Sequence, residues 1–249
     1  MLTSLTHRQL EGELMDDPDI DVQAHRTALR GLRRINVASR TAAALWPTIR
    51  CIARQRRDEP LSLLDVATGG GDVAVALARL AQRDGITLRV EACDISPTAL
   101  RVAEEQARRA DVEVRFFVQD ILAEPLPAAY DIIVSTLFLH HLHDEQIVGL
   151  LEAWSSQARH LVISDLLRNR TGYGLAYLGT RLLSLSPIVH VDGLKSVRAA
   201  LTLPEAENLA SRAGLTGASF ERHWPSRFLL TWSRPASSAA ASREDPSCA

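Results

Sequence analysis

The chain has 249 residues, with 28 Lys and Arg against 30 Asp and Glu, a net charge of −2, and 46% hydrophobic residues. That length suits one α/β domain with additions and a substantial core, and the composition is ordinary for a globular chain. The charge balance argues against nucleic-acid binding, and no apolar run spans a membrane or follows a basic start, so a cytoplasmic protein is expected.

Cys51, Cys93 and Cys248 show no spacing that would mark a disulfide framework or a zinc site. Residues 1–58 divide by charge. Six acids fall between Glu11 and Asp21, whereas Val22 to Arg57 holds nine arginines and no acid. Apolar residues at helical spacing (Leu29, Leu32, Ile35, Val37, then Leu45, Ile49, Ile52) predict two helices, with Pro47 breaking or kinking the second. This segment reads as a helical cap. Most of its arginines belong to a solvated face, and a few are candidates for an anionic substrate, carrier or membrane surface.

From Leu61 strands and helices alternate. Strands are expected at Leu61–Ala67, Leu88–Cys93, Val114–Val118, Asp131–Thr136 and His160–Ser164, with helices at Val73–Arg83, Pro97–Arg109 and Glu145–Gln157. Ser96 with Pro97 marks a helix start. The pattern implies α/β architecture, a doubly wound and mostly parallel sheet. Ala218–His223 and Arg227–Trp232 read as a closing antiparallel pair. Residues 166–203 are too long for a simple crossover and are expected to form a lid, with a turn at Asp192-Gly193. The main domain is thus 59–234, and the polar, alanine-rich stretch 235–249 is expected to be disordered.

The chemistry gathers at the strand tips. After the first strand comes Asp65-Val66-Ala67-Thr68-Gly69-Gly70-Gly71-Asp72, a tight turn running into a helix N-terminus. Glycines let a ligand approach the backbone, and free helix-start amides favour anionic groups. The spacing Gly69, Gly71, Ala74, with Asp94 23 residues beyond Gly71, also fits a dinucleotide site. Asp65 discriminates, because a carboxylate there can meet the cationic amino-acid end of S-adenosylmethionine (SAM), which NAD lacks.

This arrangement resembles the class I SAM-dependent methyltransferases, whose first motif is an acid followed by G-x-G-x-G. Ala67 replaces the first glycine, a variant similar to that of the ubiquinone/menaquinone-biosynthesis C-methyltransferases. Asn36, Ser39 and Trp46 resemble that group's N-terminal segment. The resemblance implies the class I methyltransferase fold, with an antiparallel last strand, and SAM as cofactor. Asp65, Ala67, Thr68, Gly69, Gly71 and Asp72 would hold its methionine end. Asp94 would take the ribose hydroxyls with Ile95 on the adenine, and Asp120 with Ile121 the adenine amino group. Ser135 ends the fourth strand beside the cofactor. The next segment, Phe138-Leu139-His140-His141-Leu142-His143-Asp144, would reach the acceptor, with His140 and His141 as base candidates. It lacks the N/D-P-P-Y type motif of DNA and glutamine amide-nitrogen methyltransferases. No metal is expected, because successive residues rarely converge on one ion. Phe138, Tyr173, Tyr177, His190, Asp192 and Arg198, with Trp46 and Trp224, are candidates for the acceptor pocket.

The implied function is methyl transfer to a small-molecule acceptor of secondary metabolism, a phenolic or polyketide-like hydroxyl, with C-methylation of a quinol-like ring as the alternative. Other classes are an NAD-linked oxidoreductase and a SAM-binding module without turnover. A homodimer is compatible with the sequence.

Overall fold

Four of the six residues of Leu61–Val66 are apolar, and every residue of it is buried. A strand buried on both faces needs such a run, and this one (β1) holds the middle of the sheet between β2 and β4. The computed structural model describes residues 5–17, 19–56 and 60–235. The expected tail therefore lies, beyond Pro235, outside the described residues.

Seven strands, β1 (Leu61–Val66), β2 (Leu88–Asp94), β3 (Arg115–Val118), β4 (Tyr130–Thr136), β5 (Ala158–Leu166), β6 (Ser219–His223) and β7 (Arg227–Ser233), form one sheet in the order 3-2-1-4-5-7-6. The first five run parallel, and β7 runs antiparallel between β5 and β6. The order reverses between β1 and β4, and ligands bind such sheets at the strand tips beside that reversal.

Alternate residues of β1 feed opposite faces. Leu61 and Leu63 pack with Leu45 and Ile49 of α2 (Thr41–Gln55) and Leu77 of α3 (Asp72–Asp84). Leu64 and Val66 pack with Leu151 and Trp154 of α5 (Asp144–Gln157) and Leu209 of α8 (Leu203–Arg212). The second predicted N-terminal helix is therefore a layer of the core rather than a surface element. Pro47 lies inside α2 without ending it. An interior proline costs about 3 kcal/mol, while burying Leu45, Ile49 and Ile52 returns roughly 1.5–3 kcal/mol each. The break comes earlier, at Ser39-Arg40, where Arg40 takes φ 54° between α1 (Val22–Ala38) and α2.

The expected lid is two helices, α6 (Arg170–Leu183) and α7 (Pro187–Ala199), packed on each other and on α1. Asp192-Gly193 forms no turn, because both residues lie within α7. A Cβ on Gly193 would stand 2.6 Å from Thr180 Cγ2 of α6, so this glycine serves close helix approach. Residues 5–17 run as an extended strap with one short 3₁₀ turn, Leu14–Asp16, tied to α7 by Leu14 and Met15 amides on Asp192. Among the described residues no helix is long and apolar enough to cross a membrane.

Candidate active site

The turn after β1 is built by backbone conformations that favour glycine. Gly69 (φ 54°) and Gly71 (φ 75°) are left-handed, and a Cβ on Gly71 would strike the Ala103 Cβ of α4 (Pro97–Ala110) at 2.5 Å. Ala67 is left-handed too, φ 55°. The alanine that replaces the motif's first glycine therefore carries a conformational cost. Gln106 of α4 donates to the Gly70 carbonyl at 2.7 Å and Leu29 of α1 lies beside Gly70, so the turn is closed from two sides.

Asp65 is 1% exposed beneath this turn. Its Oδ2 accepts from the Thr68 hydroxyl at 2.6 Å, and its Oδ1 is buried with no hydrogen-bond partner. Burial pushes its pKa up to about 7, against the pull of Thr68 and the nearby Ala74 amide. A buried carboxylate oxygen left unsatisfied is costly, and a ligand cation would supply what it lacks.

Asp94, at the tip of β2, accepts from the Gly69 amide at 2.7 Å and the Ser96 amide at 2.9 Å. It thus braces the glycine turn, and a carboxylate's remaining lone pairs can still take two hydroxyls. Burial raises its pKa. Ile95 beside it is 64% exposed, an apolar side chain offered to solvent at the site's edge. Asp120 accepts from the Leu122 and Ala123 amides, as an ordinary turn cap, and Ile121 packs against the core. Ser135 is buried, its hydroxyl on the Val66 carbonyl. Asp72 starts α3, and Asn36 of α1 and the nearby Arg33 and Arg227 oppose the burial that raises its pKa.

Beyond β4 the chain passes Leu137 (φ 56°) into a 3₁₀ turn, Leu139–His141. His140 is 3% exposed. Its Nδ1 lies 2.6 Å from Asp165 Oδ1 at the end of β5, and its Nε2 lies 3.7 Å from Glu13 Oε1 of the strap. Burial disfavours the imidazolium, but the charge and hydrogen bond of Asp165, and then the nearby Glu13 carboxylate, outweigh it and push the pKa up to about 10. Burial likewise works against the ionised Glu13, yet His140 and His141 hold its carboxyl below the usual range. His141 is more open, with Nδ1 3.1 Å from Asp16 Oδ2 and Nε2 3.9 Å from Glu13 Oε1. The two rings sit 4.4 Å apart, and Phe138 stacks beyond His141. Arg8 fixes the strap over this turn, bonding Asp144 at 2.8 Å and the carbonyls of Leu139 and His140.

Three members of this cluster, Glu13, Asp16 and Asp165, are absent from the sequence-based candidates. Asp165 carried a readable signal, an acid at a strand tip like Asp65 and Asp94. Nothing local marks Glu13 among six acids. The aromatic candidates scatter. Trp46 is buried between α2 and α3 with its indole N–H on Asp84 at 2.9 Å, which makes it a core residue and not a pocket one. Tyr173 accepts from Arg198 at 2.9 Å, Tyr177 lies under Arg181, and His190 meets the Ser184 carbonyl at 2.8 Å. Trp224 is 62% exposed on the β6–β7 hairpin.

Residues 63–160 match the family model described as a methyltransferase domain. A structure with closely corresponding length is magnesium protoporphyrin IX methyltransferase from Synechocystis PCC 6803, at TM-score 0.55 and 17% identity, covering 88% of this chain and 90% of that one. The chain has the class I SAM-dependent methyltransferase fold. Curated relatives align over part of the chain. A release factor glutamine methyltransferase of Koribacter versatilis is 40% identical over 80 residues, 32% of this chain and 27% of the relative. A demethylmenaquinone methyltransferase of Thermus thermophilus is 31% identical over 121 residues, 47% of this chain and 53% of the relative. The chain thus spans about a quarter to a half of the length of these relatives.

SAM is the cofactor of this fold. The unsatisfied Asp65 oxygen, the left-handed glycine turn and the exposed Ile95 fit its ammonium, its carboxylate end and its adenine.

Proposed function

We propose that this chain is a SAM-dependent methyltransferase whose acceptor is a small molecule bearing a phenol-like hydroxyl. The observation that carries the reading is the buried, unpartnered Asp65 oxygen under a glycine turn beside the reversal of strand order. Asp65 holds the ammonium, the turn's backbone meets the carboxylate end, and Asp94 takes the ribose hydroxyls. Asp120 and Ile121 border the adenine. The donor supplies a methyl group on a sulfonium, which calls for alignment and exclusion of water rather than covalent help.

The chain's own work is on the acceptor. His140 and His141 follow β4 by a few residues and, with Glu13, favour the ionised form of the hydroxyl. Phe138 and the lid residues Tyr173, Tyr177, His190 and Arg198 are its pocket. Transfer to oxygen or to a ring carbon of a quinol both begin from an ionised hydroxyl. The histidine-bearing segment supports oxygen, and the likeness to a demethylmenaquinone methyltransferase keeps carbon as the second reading.

Calorimetry tests the donor half. SAM and its demethylated product bind, NADH does not, and Asp94→Ala weakens SAM at least tenfold through lost charge-assisted bonds. Binding of NADH in place of SAM overturns the proposal.

A further inference from the structure

Both Nδ1 atoms of the histidine pair are held by carboxylates, His140 by Asp165 and His141 by Asp16, and both Nε2 atoms face one oxygen, Glu13 Oε1. A hydrogen bond to the outer nitrogen fixes a metal-ligating histidine in just this way, setting its tautomer and aiming the inner nitrogen. The glutamate is braced too, since Ser196 donates to Oε1 at 2.5 Å. Ligating carboxylates carry such partners.

The spacing suits a shared ion as well as the loose ion pairs that the metal-free cluster makes. At 3.7 and 3.9 Å the Nε2–Oε1 distances exceed hydrogen bonds, which end near 3.2 Å for N–H···O. They are short for a bridging water, whose two hydrogen bonds set the outer atoms about 4.5 Å apart. Two bonds of about 2.0–2.1 Å to one zinc-like ion put its ligands about 3.4 Å apart in a tetrahedron. All three donor atoms lie within 4.8 Å of one another, so small side-chain shifts complete the site. Consecutive histidines reach one point because the 3₁₀ turn lays their rings 4.4 Å apart and tilted by 36°.

We infer that Glu13, His140 and His141 bind one divalent transition cation of the zinc class. Imidazole nitrogen and carboxylate oxygen are its ordinary donors, and Asp16 and Asp165 add negative charge around it. Glu13 stands 127 positions before His140, so the cation would clip the strap onto the turn beyond β4. Three protein ligands leave a fourth position, as in catalytic rather than structural zinc sites. The inference goes beyond the proposed function, which leaves open what sits between the two rings. Only the use of that fourth position on an acceptor oxygen rests on it.

The test uses the full chain, stripped with a chelator and titrated with Co²⁺ while visible absorption is followed, then competed with Zn²⁺. One equivalent of Co²⁺ should give the intense bands of a four-coordinate site, and Zn²⁺ should abolish them. Asp16→Asn, which keeps all three ligands, should weaken binding about 10–100-fold. Glu13→Gln and His141→Ala should remove it while circular dichroism stays unchanged. A wild-type chain with no stoichiometric Co²⁺ binding overturns the inference, as does binding that both ligand variants retain. Co²⁺ binding at this site in a chain that fails to bind SAM leaves the inference standing and removes the methyltransferase reading instead.

Discussion

Asp65 has a pKa of about 7 because burial disfavours its charge and no cation faces its Oδ1. In the ligand-free chain the proton is held more tightly folded than unfolded, so this group's contribution to stability falls as pH rises from about 4 to about 7. An ammonium reverses the preference, because it binds the ionised form. SAM affinity should therefore rise with pH toward 7, by at most about tenfold per unit, and level off above it. Calorimetry in buffers of different ionisation enthalpy should record proton release near pH 6 and none at pH 8.5. Affinity and proton count that ignore pH would place the ammonium elsewhere. Ala67 gives a second test. Its left-handed backbone costs roughly 1–2 kcal/mol and a glycine's extra chain entropy about 0.5–1 kcal/mol. Ala67→Gly should then stabilise by up to about 1.5 kcal/mol, a rise of up to about 3–6 °C in Tm. A fall in Tm would show that the Ala67 methyl's packing outweighs the strain. Residues defined by a motif and a strand tip, such as Asp65 and Asp94, were legible in the sequence. Asp165 stands directly after the expected end of the fifth strand, as Asp94 does after the second, and was legible by the same signal. Glu13 could not be, because its partners lie on the far side of the sequence.

Strands were legible as short apolar-rich stretches alternating with helical patterns, and each expected strand of the main sheet lies within two residues of its place. The two helices of the lid escape the sequence pattern for a physical reason. Gly172, Gly174, Gly179 and Gly193 lower helix propensity, and Asp192-Gly193 has turn chemistry. Tertiary packing overrides both, with Gly193 set against Thr180 and Asp192 accepting two amides of the strap. Gly193→Ala should accordingly cost about 1–3 kcal/mol by overpacking α6 against α7. Thr180→Ser removes the methyl in the way and keeps the hydroxyl that bonds the Ala176 carbonyl, so the double variant should recover most of the loss. Additive losses, read by denaturant unfolding, would mean that Gly193 matters through helix propensity alone.

At the scale of the molecule, the strap, the turn beyond β4 and the tip of β5 meet at one point, and β4 lies directly beside the β1 that carries the glycine turn. Arg8 and Asp192 tie the strap down, and Arg227, buried at 2% exposure, bonds Thr41 and Asn36 and so locks α1 and α2 to β7. On the proposed reading the donor sits at β1 and β2 and the acceptor at β4 and β5, the division of labour that methyl transfer requires. The direct test is a panel of phenols and quinols incubated with methyl-labelled SAM, with products located by mass spectrometry and NMR. Label should appear on an acceptor's oxygen. His141→Ala should lower turnover about 10²–10⁴-fold with SAM affinity nearly intact, and the loss should shrink at high pH, where the phenol ionises unaided. Label on ring carbon would move the reading to C-methylation, and tight SAM binding with no transfer to any acceptor would contradict it.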